Sequence, residues 1–365
     1  MRATVAVQPA SAGAVHPLTV AIVSTFPPTS CGIATFSAAL AVGLTAEGAS
    51  TDVVRTDESP EHEDVLVAAS LHDGRVTGPA LAVMNAADVV IVQHEFGLYA
   101  GRDGSAVLEL VAGIDVPVVV VAHTVLTSPS SNQRWVLEQL CADASMVVVM
   151  TDTARDRLVD GYTVDADRVV VIPHGAATPP ATESASRAQA RHRPRILTWG
   201  LLGPGKGIEW AIESLAALGD LDPLPEYVVA GATHPKVRER QGEAYREMLT
   251  ALAADSRSGV PVVFDDTYRD LGALTELIAT ADVVVLPYDS VDQVTSGVLV
   301  DAVAAGRPVV ATAFPHAVEL LRSGAGIVVP RRDPDALGQA LRAVLGDRAT
   351  AAAMAAEARR LAPDL

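Results

Sequence analysis

Along the chain, short β-branched runs that are apolar at nearly every position alternate with longer Ala- and Leu-rich segments interrupted by polar residues. From the N-terminus the runs are LTVAIVST (18–25), DVVIVQH (88–94), PVVVVAHT (117–124), SMVVVM (145–150) and RVVVIPH (168–174). Being apolar on both faces, they predict strands of a parallel sheet covered on both sides. The segments GIATFSAALAVGLTAEG, NQRWVLEQLCADA and DTARDRLVDGY between them predict helices, and the alternation implies a doubly wound α/β sheet. AATPPATESASRAQARHRP (176–194) carries neither signature. Beyond it the grammar restarts with RILTWG (195–200), YVVAGA (227–232), VPVVF (260–264), ADVVVLP (281–287), RPVVATA (307–313) and GIVVP (326–330). The expected organisation is a flexible tail (1–17), a Rossmann-like domain (18–178), a linker (179–194) and a second Rossmann-like domain (195–365), with a cleft between the two.

In open α/β sheets ligands bind beyond the carboxyl ends of the strands. That rule selects Gly32, His94–Glu95, His123, His174, Gly203–Gly207, Ala232–His234 and Tyr288–Gly297. A single histidine there is as readily a structural imidazole, but three at equivalent edges of one sheet predict a polar cleft rim. PPTSCGIATF (27–36) opens the first helix, where Gly32 lets a ligand approach the backbone and the helix N-terminus favours an anion. A tight turn without a ligand is the competing reading. No G-x-G-x-x-G follows the first strand, so a dinucleotide fingerprint is absent. In DSVDQVTSGVLVDAVAAGRPVVAT (289–312) a helix is expected to begin near Thr295, with Ser and Thr supplying caps. Asp301, six residues on, is badly placed to cap but well placed to reach a ribose diol; an ordinary surface aspartate is the alternative.

Composition narrows the field. A chain of 365 residues suggests about two domains, and only 4% aromatics means cores of Val, Ala and Leu. The formal charge of −17 argues against a nucleic-acid or anionic-membrane surface. Cys31 and Cys141 form neither a metal spacing nor a disulfide framework, which suits a reducing cytoplasm. The opening MRATVAVQPASAGAVHP does not have the form of a signal peptide, and no uninterrupted apolar run of about 18 residues predicts a membrane span. No cluster predicts a metal.

GLLGPGKGIEW (200–210) matches the phosphate-loop spacing G-x-x-x-x-G-K, but Gly207 stands where a magnesium-holding hydroxyl is required. The motif also opens a second domain, and no acid-tipped strand serves as metal partner. A nucleoside-triphosphate hydrolase is therefore disfavoured.

In order and spacing, PPTSCGIATF, VVVVAHT, MTDTARDRL, VVVIPHG, ILTWGLLGPGKGIEWAIESL and ADVVVLPYDSVDQVTSGVLVDAVAAGRPVVATAFPHAVELL resemble a retaining glycosyltransferase of the GT-B fold, in the sequence family numbered four. The resemblance spans about residues 18 to 330. It implies transfer of a mannose- or glucose-type hexose from a UDP- or GDP-linked sugar to a carbohydrate or small-molecule hydroxyl, without a catalytic metal. It places Lys206 and Gly207 on the donor diphosphate, together with Gly32 and the amides of Thr295, Ser296 and Gly297. It makes His123 the histidine facing the donor sugar. Two family glutamates eight positions apart correspond to Gln293 and Asp301, the latter on the ribose; neighbouring Asp292 and, further on, His316 are further donor-sugar candidates. His94 and Glu95 are acceptor candidates. The family arginine before the lysine is replaced by Leu201, so either another basic residue substitutes, with Arg269 and Arg193 as candidates, or helix N-termini and backbone amides carry more of the charge. Base selection falls to Gly231 and Asp265–Tyr268, whereas GATHPKVRERQGEAYRE (231–247) is expected to be a solvated face. A helix crossing back to the first domain is expected to begin near EARRLAPDL, where the sequence stops. A GT-B epimerase or phosphorylase and a catalytically silent nucleotide-sugar-binding protein remain as alternatives.

Overall fold

In a computed structural model of the chain the described residues are 17–57, 66–176, 193–267 and 269–365, so the expected tail and linker lie almost wholly outside them. The first half builds strands β1 (Thr19–Ser24), β2 (Ser50–Arg55), β3 (Val67–Ser70), β4 (Val89–His94), β5 (Val118–Ala122), β6 (Met146–Val149) and β7 (Val169–Val171). They form one sheet in the order β3-β2-β1-β4-β5-β6-β7, parallel throughout. Its helices are α1 (Gly32–Ala46), α2 (Gly78–Ala86), α3 (Ala106–Ala112), α4 (Ser131–Asp143) and α5 (Asp152–Gly161).

The second half adds β8 (Arg195–Trp199), β9 (Glu226–Ala230), β10 (Val262–Asp265), β11 (Val283–Leu286), β12 (Val309–Thr312) and β13 (Gly326–Val329). Their order is β10-β9-β8-β11-β12-β13, again parallel. Helices α6 (Ile208–Ser214), α7 (Pro235–Gln241), α8 (Ala244–Asp255), α9 (Leu271–Ala279), α10 (Gly297–Ala304), α11 (Pro315–Leu320), α12 (Pro334–Gly346) and α13 (Arg348–Leu361) complete it. Two Rossmann-like domains, with sheets of seven and six strands, make this a GT-B architecture.

Two strands escaped the sequence pattern. β2 (STDVVR) mixes polar and apolar positions, and β3 (VAAS) is a short edge strand, so neither shows the all-apolar run of a central strand. The central strands behave as expected because both of their faces are covered. Ala21 and Val23 join one core with Met84 and Val90, while Val20 and Ile22 join another with Phe26 and Ala41. In the second sheet Val283 and Val285 pack with Leu341 of α12, and Val284 and Leu286 with Leu299 of α10. Burying each Val, Leu, Ile, Phe or Met side chain among these is worth roughly 1.5–3 kcal/mol. The last helix, α13, contributes Met354 and Ala358 to the second-domain cores.

The strand order reverses at β1/β4 in the first sheet and at β8/β11 in the second. A crevice is expected beyond the carboxyl ends of the strands at each such switch point. The site described next lies there.

Candidate active site

β8 leaves the sheet through Gly200, and β9 through Gly231. Their φ values are +116° and +139°, and a Cβ on Gly231 would stand 2.1 Å from the Gly200 carbonyl oxygen. Gly207 is equally constrained: with φ at +67°, any Cβ would meet the Pro287 oxygen at 1.9 Å. Its place in the motif is therefore set by the approach of the β11 exit loop, not by a lost magnesium ligand. The turn lays the Lys206 ammonium 4.5 Å from the centre of the Tyr288 ring, which is itself buried and 5.0 Å from the Phe314 ring. Among the described residues Lys206 has no ion-pair partner. Leu201 is half-buried in the same turn and brings no charge.

Neither substitute for the missing arginine is in place. Arg193 precedes β8 and so lies at the opposite end of that strand from Lys206. Arg269 is ion-paired to Asp265 and donates to the Thr267 oxygen at 3.1 Å. Tyr268 is outside the described residues.

Helix α10 is capped by Ser296, whose Oγ accepts from the Leu299 N–H at 3.3 Å. The Ser296 N–H, expected to face a phosphate, instead donates to His316 Nδ1 at 2.9 Å. That leaves the Gly297 and Val298 N–H groups as the unpaired donors of the first turn. His316 is buried and fastened again by its own N–H to the Gln293 oxygen at 3.2 Å. Since Nδ1 accepts, the ring proton sits on Nε2, and burial lowers the imidazole pKa to about 4. His316 therefore clamps the donor-side loop as a neutral ring.

The side chains of Gln293 and Asp292, donor-sugar candidates from the sequence, are each engaged by protein groups. The Gln293 amide donates to the Thr295 oxygen of its own loop. Asp292 Oδ1 reaches the first domain, accepting from the Thr127 N–H at 2.9 Å and the Thr127 hydroxyl at 2.5 Å, with Arg157 at 3.5 Å. In this structure both side chains thus have protein partners of their own. Thr295 Oγ1 is buried without a partner.

Asp301 lies four residues beyond Gly297, on the same helix face and about 6 Å along the axis. Its carboxyl has no hydrogen-bond partner among the described residues, and burial raises its pKa to about 7. The Gly297 end of this face meets the first domain, where a Cβ would lie 3.1 Å from His174 Nε2.

On the first-domain side, α1 begins at Gly32 with no side-chain cap on its first turn, and a Cβ on Gly32 would meet nothing within 4 Å. The loop before it is held by buried Arg55, which donates to the Pro27 oxygen at 3.2 Å and the Thr29 hydroxyl at 2.7 Å and pairs with Asp57 at 3.3 Å. An open space above unpaired helix N–H groups suits an anion.

His123 follows β5 with Nε2 2.7 Å from Gln93 Oε1 and its ring edge-on to Phe36 at 5.1 Å. With Gln93 in that orientation Nε2 carries the proton, leaving the Nδ1 lone pair to accept from a hydroxyl. Burial, with smaller contributions from His174 and His94, lowers its pKa to about 3, so it is neutral at pH 7. His94 does not line the cleft surface: it is 0% exposed, neither ring nitrogen has a partner, and burial lowers its pKa to about 4. Glu95 is half-buried and its Oε2 accepts from the Gly97 N–H at 2.8 Å.

Sequence reasoning missed Gln93, which orients His123, and Phe36, which also lies 4.9 Å from His174. Gln93 had a signal, a buried amide inside an otherwise apolar strand. It also missed Glu319, a second-domain carboxylate that accepts from the Asp152 and Thr153 N–H groups, both at 2.9 Å, at the start of α5. Thr151 Oγ1 donates across the same boundary to the Val294 oxygen at 3.1 Å. The donor-side loop is thus built partly on first-domain groups. Among the described residues no three His, Cys, Asp or Glu are grouped to hold a metal, and no helix is long and apolar enough to cross a membrane.

Comparison with known proteins agrees with this architecture. The family described as glycosyltransferase family 4 matches residues 31–178, and that described as glycosyl transferases group 1 matches residues 193–347. A D-inositol 3-phosphate glycosyltransferase of Corynebacterium glutamicum (strain R) is 28% identical over 266 residues, 67% of this chain and 62% of the relative. One from Salinispora arenicola is 31% identical over 273 residues, 67% and 59% respectively. The matches thus span about three fifths of these curated relatives, 62% and 59% of their length. Among solved structures, a sucrose-phosphate synthase from Thermosynechococcus elongatus matches with a TM-score of 0.75 at 18% identity, covering 95% of this chain and 94% of that one. An Anabaena protein solved in complex with UDP-glucose gives 0.74 at 16% identity, with 94% of each chain covered. At that identity the likeness is one of fold. Two consecutive family matches on two Rossmann-like domains, with the lysine and glycine loop at the second switch point, lead to one conclusion: the chain belongs to the group 1 glycosyltransferases of the GT-B fold.

Proposed function

We propose that the chain transfers a mannose- or glucose-type hexose, with retention of anomeric configuration, from a nucleoside diphosphate sugar to a hydroxyl acceptor. The observation that carries this reading is the α10 face. It joins unpaired Gly297 and Val298 amides to the partnerless Asp301 carboxyl, a diphosphate-and-diol pattern, beside a β8 exit loop that carries an ion-unpaired Lys206. The Anabaena structure solved with UDP-glucose supports the donor class.

In this reading bond cleavage places negative charge on the leaving diphosphate. Lys206, the first-turn amides of α1 and those of Gly297 and Val298 oppose that charge and thereby lower the barrier. The acceptor hydroxyl attacks on the face the diphosphate leaves, and its proton passes to a phosphate oxygen. No protein nucleophile is needed. His123, neutral and held by Gln93, accepts from a hydroxyl of the transferred sugar. Protein groups meet the leaving-group charge, so activity is expected to persist in EDTA. Domain contacts at Asp292 and Glu319 hold the two halves together beside the donor loop.

A thermal-shift series with UDP-, GDP- and ADP-linked sugars tests donor binding, since a ligand bound only by the folded state raises the melting temperature. Nucleotide release is then followed with an acceptor panel that includes inositol phosphates, because the curated relatives are named for them. Leu201 and the turned-in Gln293 favour a second reading, a nucleotide-sugar binder without turnover. Donor binding with no acceptor-dependent nucleotide release selects that second reading.

A further inference from the structure

This inference rests on the donor reading and concerns the second charge of the diphosphate, which Leu201 cannot meet. The exit loop of β8 runs beside that of β9: the Leu202 N–H donates to the Ala232 oxygen at 2.9 Å and the His234 N–H to the Leu202 oxygen at 2.8 Å. A Cβ on Gly203 would lie 3.0 Å from the Val237 side chain. This register sets Lys236, two residues past His234, beside the Gly203–Lys206 turn. Its Nζ spans the cleft and donates to the Gly97 oxygen of the first domain at 3.1 Å. His234 senses both cations, since after burial the charges of Lys236 and then Lys206 push its pKa down, with Glu95 opposing.

Four arginines along this edge are held in ion pairs. Arg238 pairs with Glu243 at 3.2 Å, Arg246 with Glu243 at 3.7 Å, and Arg332 with Asp289 at 2.6 Å; Arg269 is held by Asp265. Among the described residues Lys236, like Lys206, has no carboxylate at ion-pair distance. We propose that Lys236 is the second donor-phosphate cation, standing in for the arginine that Leu201 replaces and presented from its seat on the Gly97 carbonyl. The mixed-charge run 231–247 is then not wholly a solvated face: Arg238, Glu243 and Arg246 pair among themselves, while Lys236 serves the cleft.

The test is calorimetric binding of UDP, GDP and ADP to the full chain and to three variants. Lys236→Ala is expected to weaken the best nucleoside diphosphate about tenfold or more, as for loss of a charged hydrogen bond. It should also flatten the dependence of affinity on salt. Lys236→Arg, and Leu201→Arg placed on Lys236→Ala, should each restore affinity and salt dependence. Wild-type affinity in Lys236→Ala, or a loss that neither arginine repairs, overturns the inference and leaves the donor reading standing. A wild-type chain that binds none of the three diphosphates overturns the donor reading, and this inference with it.

Discussion

The Lys206 ammonium lies 4.5 Å from the centre of the Tyr288 ring, so the donor-side cation rests on an aromatic face instead of a carboxylate. An acid in that position would neutralise the lysine before a phosphate arrived. The ring holds it while leaving its charge available. Lys206→Ala is expected to cut turnover by about 10²–10³, the scale of losing one preorganised charge-stabilising group. Tyr288→Phe should retain activity and fold at least as well, because the Tyr288 hydroxyl is buried without a partner. Tyr288→Leu should raise the donor KM several-fold, the ring contributing about 0.5–2 kcal/mol. Steady-state kinetics on the three variants decides; unchanged turnover in Lys206→Ala would remove the leaving-group role.

Gly207→Ala tests the steric account of the motif. The added Cβ would meet the Pro287 oxygen at 1.9 Å in a backbone region that disfavours side chains. A loss of roughly 2 kcal/mol or more is expected, read as a lower melting temperature. If Gly207→Ser melts with the wild type and gains magnesium-dependent nucleotide binding, the phosphate-loop interpretation returns.

Asp301 gives a pH signature of defined sign. Burial raises its folded pKa to about 7, against about 3.9 in an unfolded chain. The folded state therefore holds the proton more tightly. Stability from this group is complete below about pH 4 and is lost as pH rises through about 7. Asp301→Asn should raise the melting temperature at pH 8 more than at pH 5 while weakening donor binding. Equal shifts at both pH values would mean the carboxyl is ionised throughout.

The domain contact is open to a separate test. Glu319 caps α5 from the other domain, and a cap of this kind is worth about 1 kcal/mol. Glu319→Ala together with Asp292→Ala should enlarge the radius of gyration in small-angle scattering and raise the donor KM, since the 291–295 loop loses its first-domain support. An unchanged scattering profile and KM would mean the two domains are held elsewhere.

His123 should contribute no rate transition between pH 5 and 8, because its pKa is about 3. Gln93→Leu removes the partner that fixes the ring and is expected to lower kcat with little change in donor affinity. A fall in donor affinity without a change in kcat would mean that the His123 contact is made equally in the bound donor and in the transition state.

Much of this was legible in local pattern. β1, β4 to β6, β8, β9, β11 and β12 announce themselves because a strand covered on both faces is apolar at most positions, and β7, β10 and β13 do so through short Val-rich runs. β2 and β3 did not, since an edge strand and its neighbour tolerate polar residues. Asp301 was legible as a carboxylate one turn into a helix. Its partnerless state was not, and neither was the turning of Gln293 into its own loop.

The sequence by itself determined the two doubly wound halves, the switch-point loops and the Lys206–Gly207 turn, because strand burial and glycine-permitted turns are written within a few consecutive residues. Which charges and amides remain free to meet a ligand was decided by the tertiary structure. His316 takes the Ser296 amide from 20 residues away, Thr127 takes Asp292 from 165, and Gly97 holds Lys236 from 139. A polar group's availability depends on its nearest partner and its solvation, and in this chain both are supplied by segments that only folding brings together.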